Sequence, residues 1–229
     1  MAAKRGIDVA IALVGLLLAA PVLLLVAIAI KVDSPGPVLY RGRRLGRGGK
    51  HFTMHKLRTM HVGAHDRLAE IIHLNVGEGM VKIPDDPRQT AVGRLLRRLS
   101  IDEVPQLWDV LRGEMSLVGP RPHVPGELNE DDPLLMARLV MRPGMTGLWQ
   151  VSARTHPALE RRVQCDLDYI NRWSLVHDFT LLARTVPAVL RADGGATLRP
   201  LARVQIGESI APVVKLAPEP ARIEKLSLS

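Results

Sequence analysis

The feature that most constrains this chain is an uncharged apolar run of 22 residues, from Val9 to Ile30. At about 1.5 Å per residue, a helix of that length crosses a hydrocarbon core of about 30 Å. The run is longer than the roughly 7 to 15 residues of a signal-peptide core, although Ala27-Ile-Ala29 offers a small-residue cleavage pattern. Asp8 borders the run and is expected to pair with a nearby Lys or Arg, because an isolated buried carboxylate is costly. We therefore predict an N-terminal membrane helix.

Pro21 lies near the middle of this run, where it removes one backbone hydrogen bond and clashes with the carbonyl group four residues earlier. Lys4 and Arg5 precede the run, and six further basic residues follow between positions 31 and 50. By the positive-inside rule both ends face the cytoplasm, which a straight span does not allow. A helix that breaks at Pro21 and re-enters the same face satisfies both observations. A simple span and a cleaved signal peptide are the alternatives.

Charge is distributed unevenly along the chain. Residues 1–60 contain ten Lys and Arg and two Asp, whereas residues 61–229 contain 21 basic and 21 acidic residues. The net charge of +8 therefore lies beside the apolar run, as expected of a segment that contacts anionic membrane lipids. Nucleic-acid binding is not expected, because only 3% of the residues are aromatic. The single cysteine, Cys165, excludes an intrachain disulfide and a Cys-rich metal site.

The rest of the sequence predicts an α+β protein that is mostly α. Short alternating segments around the glycines at 46, 48 and 49 predict a small β-hairpin. Residues 90–99, "TAVGRLLRRL", place Leu95, Leu96 and Leu99 on one side and arginines on the other. This pattern is typical of an interfacial amphipathic helix and equally of a surface helix packed on a core. Further helices are predicted over residues 103–112, 130–141 and 157–192.

Two adjacent carboxylates, Asp102 and Glu103, stand in the stretch "RRLSIDEVPQL". A structural explanation is a capping box, in which Glu103 reaches back to the N–H of Ser100. If Asp102 is instead the N-cap, Pro105 falls at N3, where its missing N–H costs the helix nothing. In both cases a helix N-terminus and Arg97 favour an ionised Asp102 and attract phosphate oxygens. With a carboxylate holding Mg²⁺ against a substrate phosphate, these residues indicate phosphoryl transfer at a membrane surface.

Longer motifs occur in a fixed order. They are "KRGID", the apolar run with its central Pro21, "SPGPVLYRGRRLGRGGKHFTMHKLRTM", "DDPRQTAVGRLLRRLSIDEVPQLWDVLRGEMSLVGPRP", "RPGMTGLWQVSAR" and "DLDYINRWSLVHDFTLLARTV". In this order the chain resembles the bacterial sugar transferase family, the monotopic polyprenyl-phosphate phosphoglycosyl transferases. The resemblance implies transfer of a sugar 1-phosphate from a UDP-sugar to undecaprenyl phosphate, with release of UMP, at the cytoplasmic face of the bacterial inner membrane.

The resemblance also implies roles for individual residues. Asp102 corresponds to the family's nucleophile, which forms a covalent phosphosugar intermediate, and Glu103 to its partner in positioning or in binding Mg²⁺. Arg97 resembles the family's phosphate-binding arginine. The uridine-binding loop corresponds to Pro120, Arg121 and Pro122, and further phosphate contacts are expected from Lys56, Arg58 and Arg142. Headgroup contacts for Lys56 and Arg58 and an ion pair for Arg142 are the structural alternatives.

The chain divides into a re-entrant membrane helix over residues 1–33, a cytoplasmic catalytic domain over 34–193 and a C-terminal tail over 194–229. It departs from the family's usual residues at Ala20, often Ser, and at Asp109, commonly Asn. A homodimer is compatible with a small monotopic protein. Neither the sugar nor the pathway served is indicated by a short motif.

Two other functions are compatible with parts of the sequence. One is a basic membrane scaffold of envelope assembly without catalytic activity, in which the acid pair only caps a helix. The other is an exported hydrolase, which is disfavoured because adjacent side chains at a helix start point in different directions. The pairs His51/His55 and His61/His65 have i,i+4 spacing, but no carboxylate motif accompanies them, so surface histidines are expected rather than a metal site.

Overall fold

The computed structural model describes residues 1–77, 81, 83–126, 133–152 and 159–190, which form helices and four short strands. This composition agrees with the predicted α+β class, mostly α. The predicted tail, and the predicted end of the catalytic domain at residue 193, lie outside the described residues.

Helix α1, Ala2–Asp33, contains the whole apolar run and is long and apolar enough to cross a membrane. Only 6% of its most apolar window is buried against the protein, so most of this surface is left for lipid. The helix continues through Pro21, and the predicted break is therefore not observed. One missing hydrogen bond is tolerated within a long helix that is otherwise fully bonded. Re-entry into the same membrane face stays a prediction.

Strands β1, Leu39–Leu45, and β2, His51–Leu57, form the predicted hairpin. They pair antiparallel, with Leu45 opposite His51 at the turn. In the turn Gly48 and Gly49 have φ values of 68° and 75°, a left-handed conformation that costs glycine little. The predicted hairpin is confirmed.

The remaining elements are short up to residue 152. Helices α2, Leu68–Ile71, and α3, Ala91–Arg98, precede α4, Gln106–Arg112. Strand β3, Ser116–Val118, pairs parallel with β4, Gly144–Thr146. The other helices are α5, Pro133–Arg138; α6, Leu148–Ser152; α7, Leu159–Asn171; and α8, Leu175–Leu190.

The single helix predicted over residues 157–192 is thus two helices. Ser174 explains the division, because its Oγ accepts a hydrogen bond from the N–H of His177 at 3.1 Å. This contact satisfies a free N–H at the start of α8, as an N-cap serine does.

Helix α1 contributes to both main hydrophobic clusters. Ala12 lies in the larger cluster, and Ile30 packs with Leu57 and Leu96 in the second. Leu96 is 3% exposed, whereas Leu95 is 55% exposed. Leu95, Leu96 and Leu99 lie within about 100° of the helix surface, as predicted, and of the three only Leu96 is buried in the core. Helix α3 packs on α1 and also presents leucines outward.

A buried polar cluster fastens the start of α1 to the protein. We call it the N-terminal anchor cluster: Lys4, Asp8, Ser116, Tyr169 and Asp178. The ammonium group of Lys4 lies 2.7 Å from Asp178 and 4.0 Å from Asp8. Asp8 accepts a hydrogen bond from Ser116 Oγ at 2.7 Å, and Asp178 accepts one from the Tyr169 hydroxyl at 2.7 Å. The expected pairing of Asp8 with a basic residue is confirmed.

Candidate active site

The acid pair lies in a single 3₁₀ turn, Ile101–Glu103, rather than at the start of an α-helix. Ser100, which precedes the turn, has a φ of 55° and makes no side-chain cap hydrogen bond, so the predicted capping box is wrong. The N-cap of α4 is Pro105, which also excludes Asp102 as that N-cap. The left-handed backbone at Ser100 turns the chain away from α3 and places the two carboxylates between α3 and α4.

Asp102 is a buried carboxyl group, 7% exposed. Burial, and then the neighbouring charge of Glu103, raises its pKa to about 6, while Lys56 and Arg97 act in the opposite direction. At neutral pH this carboxylate is mostly ionised although it is poorly hydrated. A poorly hydrated anion held near cations is suited to nucleophilic attack on phosphorus.

Lys56 of β2 provides the cation that contacts the pair directly. Its Nζ donates a hydrogen bond to Glu103 Oε1 at 2.7 Å, and both side chains are partly exposed. Hydrogen bonds between oppositely charged groups are short and well oriented. Glu103 is therefore fixed in place, and the ammonium group of Lys56 stands close to Asp102.

Arg97 is held beside the pair by an unusually close approach of α3. A Cβ atom at Gly93 would lie 2.1 Å from the carbonyl oxygen of Thr59, so only glycine fits there. One turn later, Arg97 Nε donates to Thr59 Oγ1 at 2.8 Å. Arg97 is otherwise exposed, and its charge acts on Asp102, whose pKa it lowers. The structure thus brings together four predicted residues: Lys56, Arg97, Asp102 and Glu103.

A cavity of about 160 Å³ opens beside Glu103 and Lys56. Pro122 lines it, whereas Asp102 is not among its lining residues. Arg121 lines it as well, with its guanidinium carbon 5.4 Å from the ring centroid of Trp149, a cation–π contact. The backbone N–H of Arg121 donates to the carboxylate of Asp166 at 3.3 Å, which fixes the loop.

Sequence analysis did not single out four residues that also line the cavity: Arg44, Gln106, Trp149 and Arg162. Trp149 carried the strongest available signal, because it is one of three tryptophans in a chain with few aromatic residues. Its indole N–H is buried and has no hydrogen-bond partner within the described part of the chain.

Two arginines that were predicted to contact phosphate lie elsewhere. Arg58 is 6% exposed and donates to the carbonyl oxygens of Ser34 and Pro35, both at 2.7 Å, at the end of α1. Arg142 donates from Nε to the carbonyl oxygen of Gly113 at 2.7 Å, where α4 ends. Both arginines stabilise helix C-termini, where free carbonyl groups attract cations. Neither residue lines the cavity, and the phosphate contacts predicted for them stay predictions.

We expect Arg58→Met to lower the stability of the protein by about 1–3 kcal/mol, because the buried carbonyl group of Ser34 and the partly buried one of Pro35 lose a charged donor. Thermal unfolding in detergent measures the change. The matched control is Arg43→Met, since Arg43 is exposed on β1 and its loss is expected to shift the melting temperature little. Equal melting temperatures for the two variants would contradict the assigned role of Arg58.

The family model described as "Bacterial sugar transferase" matches residues 1–192, and the chain belongs to this family. It is an enzyme of this kind, as its sequence motifs implied.

Three relatives illustrate the range of the family. Exopolysaccharide production protein ExoY of Rhizobium meliloti is 42% identical over 197 residues, which cover 84% of this chain and 87% of that protein. UDP-glucose:undecaprenyl-phosphate glucose-1-phosphate transferase of Caulobacter vibrioides is 45% identical, over 83% of this chain and 70% of the relative. Undecaprenyl-phosphate galactose phosphotransferase of Salmonella typhimurium is 40% identical over 83% of this chain, but only 41% of the longer relative is covered.

Proposed function

We propose that this enzyme transfers a sugar 1-phosphate from a UDP-sugar to undecaprenyl phosphate at the cytoplasmic face of the bacterial inner membrane, releasing UMP. The observation that carries the proposal is the buried carboxyl group of Asp102, held near Arg97 and beside Glu103 and Lys56, which line a cation-rich cavity. Relatives named for glucose and galactose phosphotransfer to undecaprenyl phosphate support it. The apolar surface of α1 supports a lipid acceptor.

The cavity is the proposed site of the donor nucleotide. Arg44, Lys56, Arg121 and Arg162 line it, and such a group of cations suits a diphosphate. Trp149 offers an aromatic face and an N–H donor that a uracil carbonyl group would satisfy. Complete ligand pockets measure roughly 300–1,000 Å³. The cavity in this protein is smaller than that and therefore holds only part of the donor. The reacting end of the donor extends past Glu103 towards Asp102.

The reaction proceeds in two displacements at one carboxylate. In the first, an Asp102 oxygen attacks the phosphorus that bears the sugar, the bond to the bridging oxygen breaks, and UMP leaves with the electron pair. In the second, a phosphate oxygen of undecaprenyl phosphate attacks the same phosphorus and releases Asp102. The product is undecaprenyl diphosphate sugar. Because the substrates react in turn, the soluble donor and the lipid acceptor need not occupy the site together.

Lys56 and Arg97 are placed to assist both displacements. Each displacement develops negative charge on the equatorial oxygens of the transferred phosphoryl group. Cations fixed in advance by Glu103 and Thr59 stabilise this charge without reorganising during the reaction.

A divalent cation fits this site only together with the substrate. Across the described residues, no group of three or more His, Cys, Asp or Glu side chains is placed to hold a metal ion. Mg²⁺, however, prefers one or two carboxylates together with substrate phosphate oxygens, and Asp102 and Glu103 supply such a pair. Bound there, Mg²⁺ would neutralise charge on the diphosphate.

The experiment that tests the proposal is UMP release by the purified, full-length protein in detergent, with Mg²⁺, undecaprenyl phosphate and a panel of UDP-sugars. Release that requires the lipid is expected with at least one sugar, and that sugar identifies the donor. If folded protein releases no UMP across a broad panel, the proposal is wrong and a non-catalytic membrane scaffold becomes the better explanation.

The pKa of Asp102 predicts the acid limb of the pH profile. Because the nucleophile is the ionised form and its pKa is raised to about 6, activity is lost as pH falls through that value. The ionised fraction is about nine-tenths at pH 7, half at pH 6 and one-tenth at pH 5. Measurement of kcat/KM between pH 5 and 8 checks this. Lys56→Met is expected to move the limb to higher pH, because Lys56 lowers this pKa, and an unchanged limb would contradict the assignment.

A further inference from the structure

A buried carboxylate, Asp109, joins the strand that carries Lys56 to the helix that follows the acid pair. Asp109 lies on α4 with a fully buried side chain. Its Oδ2 accepts a hydrogen bond from the backbone N–H of His55 on β2 at 2.8 Å. Its Oδ1 lies 2.6 Å from Nδ1 of the same histidine. We call this pair of contacts the His55–Asp109 clamp, and neither residue lines the cavity beside Glu103.

The clamp lies at an edge of the hairpin that has no strand partner. Strand β2 belongs to a two-stranded sheet, so the N–H groups along one of its edges need other acceptors. Asp109 provides one at His55. The next residue, Lys56, reaches Glu103 at 2.7 Å. The chain from Glu103 to Asp109 is therefore held against β2 at two consecutive strand residues, and the contact at His55 is the less exposed of the two.

The two contacts differ in what they can do alone. Because the Lys56 side chain has a flexible four-carbon stem, its ammonium group keeps one position only when the backbone of β2 and its acceptor Glu103 are both fixed. Displacement of a group near reacting atoms by about 1 Å can reduce a rate by about 10²-fold. The contact between Lys56 and Glu103 is more exposed to water than the clamp, in which the Asp109 side chain is fully buried, so water weakens the clamp less.

We propose that His55 and Asp109 are positioning residues for the acid pair: the clamp fixes β2 against α4 so that the ammonium group of Lys56 stays on Glu103 and beside Asp102. The inference rests on the proposed function, because the effect of the clamp is defined on that reaction. Packing alone does not call for a carboxylate at this place. A buried charge is costly unless it is bonded, and an apolar residue would fill the same volume at lower cost.

A double-mutant cycle tests the clamp. UMP release is measured for the full-length protein and its Asp109→Ala, Lys56→Met and double variants, with undecaprenyl phosphate and a UDP-sugar that the wild type accepts. Asp109→Ala alone is expected to lower kcat about tenfold or more, with a smaller change in the KM of the donor. In the Lys56→Met background, Asp109→Ala is expected to lower kcat by less than about twofold, because the ammonium group that Asp109 positions is already absent.

Matched variants separate positioning from stability. Asp109→Asn keeps an oxygen that accepts the His55 N–H and is expected to retain most of the wild-type kcat. Asp86→Ala removes another buried carboxylate, which accepts a hydrogen bond from the backbone N–H of Arg88. Its effect on kcat is expected to multiply with the effect of Lys56→Met. If Asp109→Ala does not fold, His55→Phe takes its place in the cycle. The phenyl ring has no nitrogen to contact Asp109 Oδ1, but the backbone N–H at position 55 still donates to Oδ2.

The outcomes are distinct. If the losses of kcat caused by Asp109→Ala and Lys56→Met multiply in the double variant, the clamp is not a positioning device. The same conclusion follows if Asp109→Asn loses as much kcat as Asp109→Ala. Wild-type protein that releases no UMP would overturn the proposed function itself, and the inference with it. Coupling of Asp109, but not Asp86, to Lys56 is the expected result.

Discussion

Asp102→Asn is expected to reduce UMP release by about 10⁴-fold or more, because the amide oxygen is a poor nucleophile and the neighbouring carboxylate, Glu103, is bound to Lys56. Incubation of the wild type with the UDP-sugar alone should also leave a phosphosugar on the protein, detectable as an added mass, and the variant should show none. Glu103→Gln is the matched control, expected to lose less activity because Glu103 positions Lys56 and does not react. Equal adduct formation by wild type and Asp102→Asn would exclude Asp102 as the nucleophile.

The Asp102→Asn variant is expected to be at least as stable as the wild type. The folded-state pKa of Asp102 is raised to about 6 from an ordinary value near 3.8. Between pH 3.8 and about 6, Asp102 is protonated in the folded state and ionised in the unfolded state. The free energy of unfolding therefore falls as pH rises through that interval. At pH 7 the penalty on the ionised group is on the order of 1–3 kcal/mol, which the neutral amide avoids. A higher melting temperature together with lost activity would mark Asp102 as a residue kept for chemistry.

Lys4→Met is expected to destabilise the folded protein by about 3–5 kcal/mol, because it leaves the buried carboxylate of Asp178 without its cation. Thermal unfolding in detergent measures the loss. Lys31→Met is the matched control, since Lys31 lies exposed at the other end of α1 and its loss is expected to change stability little.

A second change in the same pair makes this prediction sharper. In Lys4→Met combined with Asp178→Asn, the Asp178 charge is removed as well, and Asp8 keeps its hydrogen bonds from Ser116 and Leu117, so part of the lost stability should return. If Lys4→Met and Lys31→Met have the same melting temperature, the N-terminal anchor cluster does not hold α1. The contact of 2.7 Å between Lys4 and Asp178 then contributes nothing measurable to stability.

Local patterns predicted much of the fold. The apolar run predicted α1, and glycines at 48 and 49 predicted the hairpin turn, because both depend on properties of neighbouring residues. The prediction at Ser100 was wrong for a related reason. A capping box requires a following helix, but the chain enters a 3₁₀ turn through a left-handed serine, and tertiary contacts on both sides decide that conformation.

The cations of the candidate site show where sequence reasoning ends. Lys56 and Arg97 lie beside the acid pair as expected, and Arg58, two residues from Lys56, points to the end of α1 instead. Neighbouring arginines and lysines have similar chemistry, and only tertiary packing, of β2 against α4 and of the Arg58 side chain against the end of α1, separates their roles. The contact between Lys4 and Asp178 joins residues 174 positions apart, which no local pattern indicates.

The attachment of α1 has a practical consequence. This helix contributes Ala12 to one core cluster, Ile30 to another and Lys4 to the N-terminal anchor cluster, and Arg58 closes its far end. Deleting residues 1–33 to obtain a water-soluble enzyme would therefore open both cores and leave Asp178 buried without its cation. For this protein, solubility and folding cannot be separated by truncation: the lipid-facing helix is a structural part of the body that holds the acid pair.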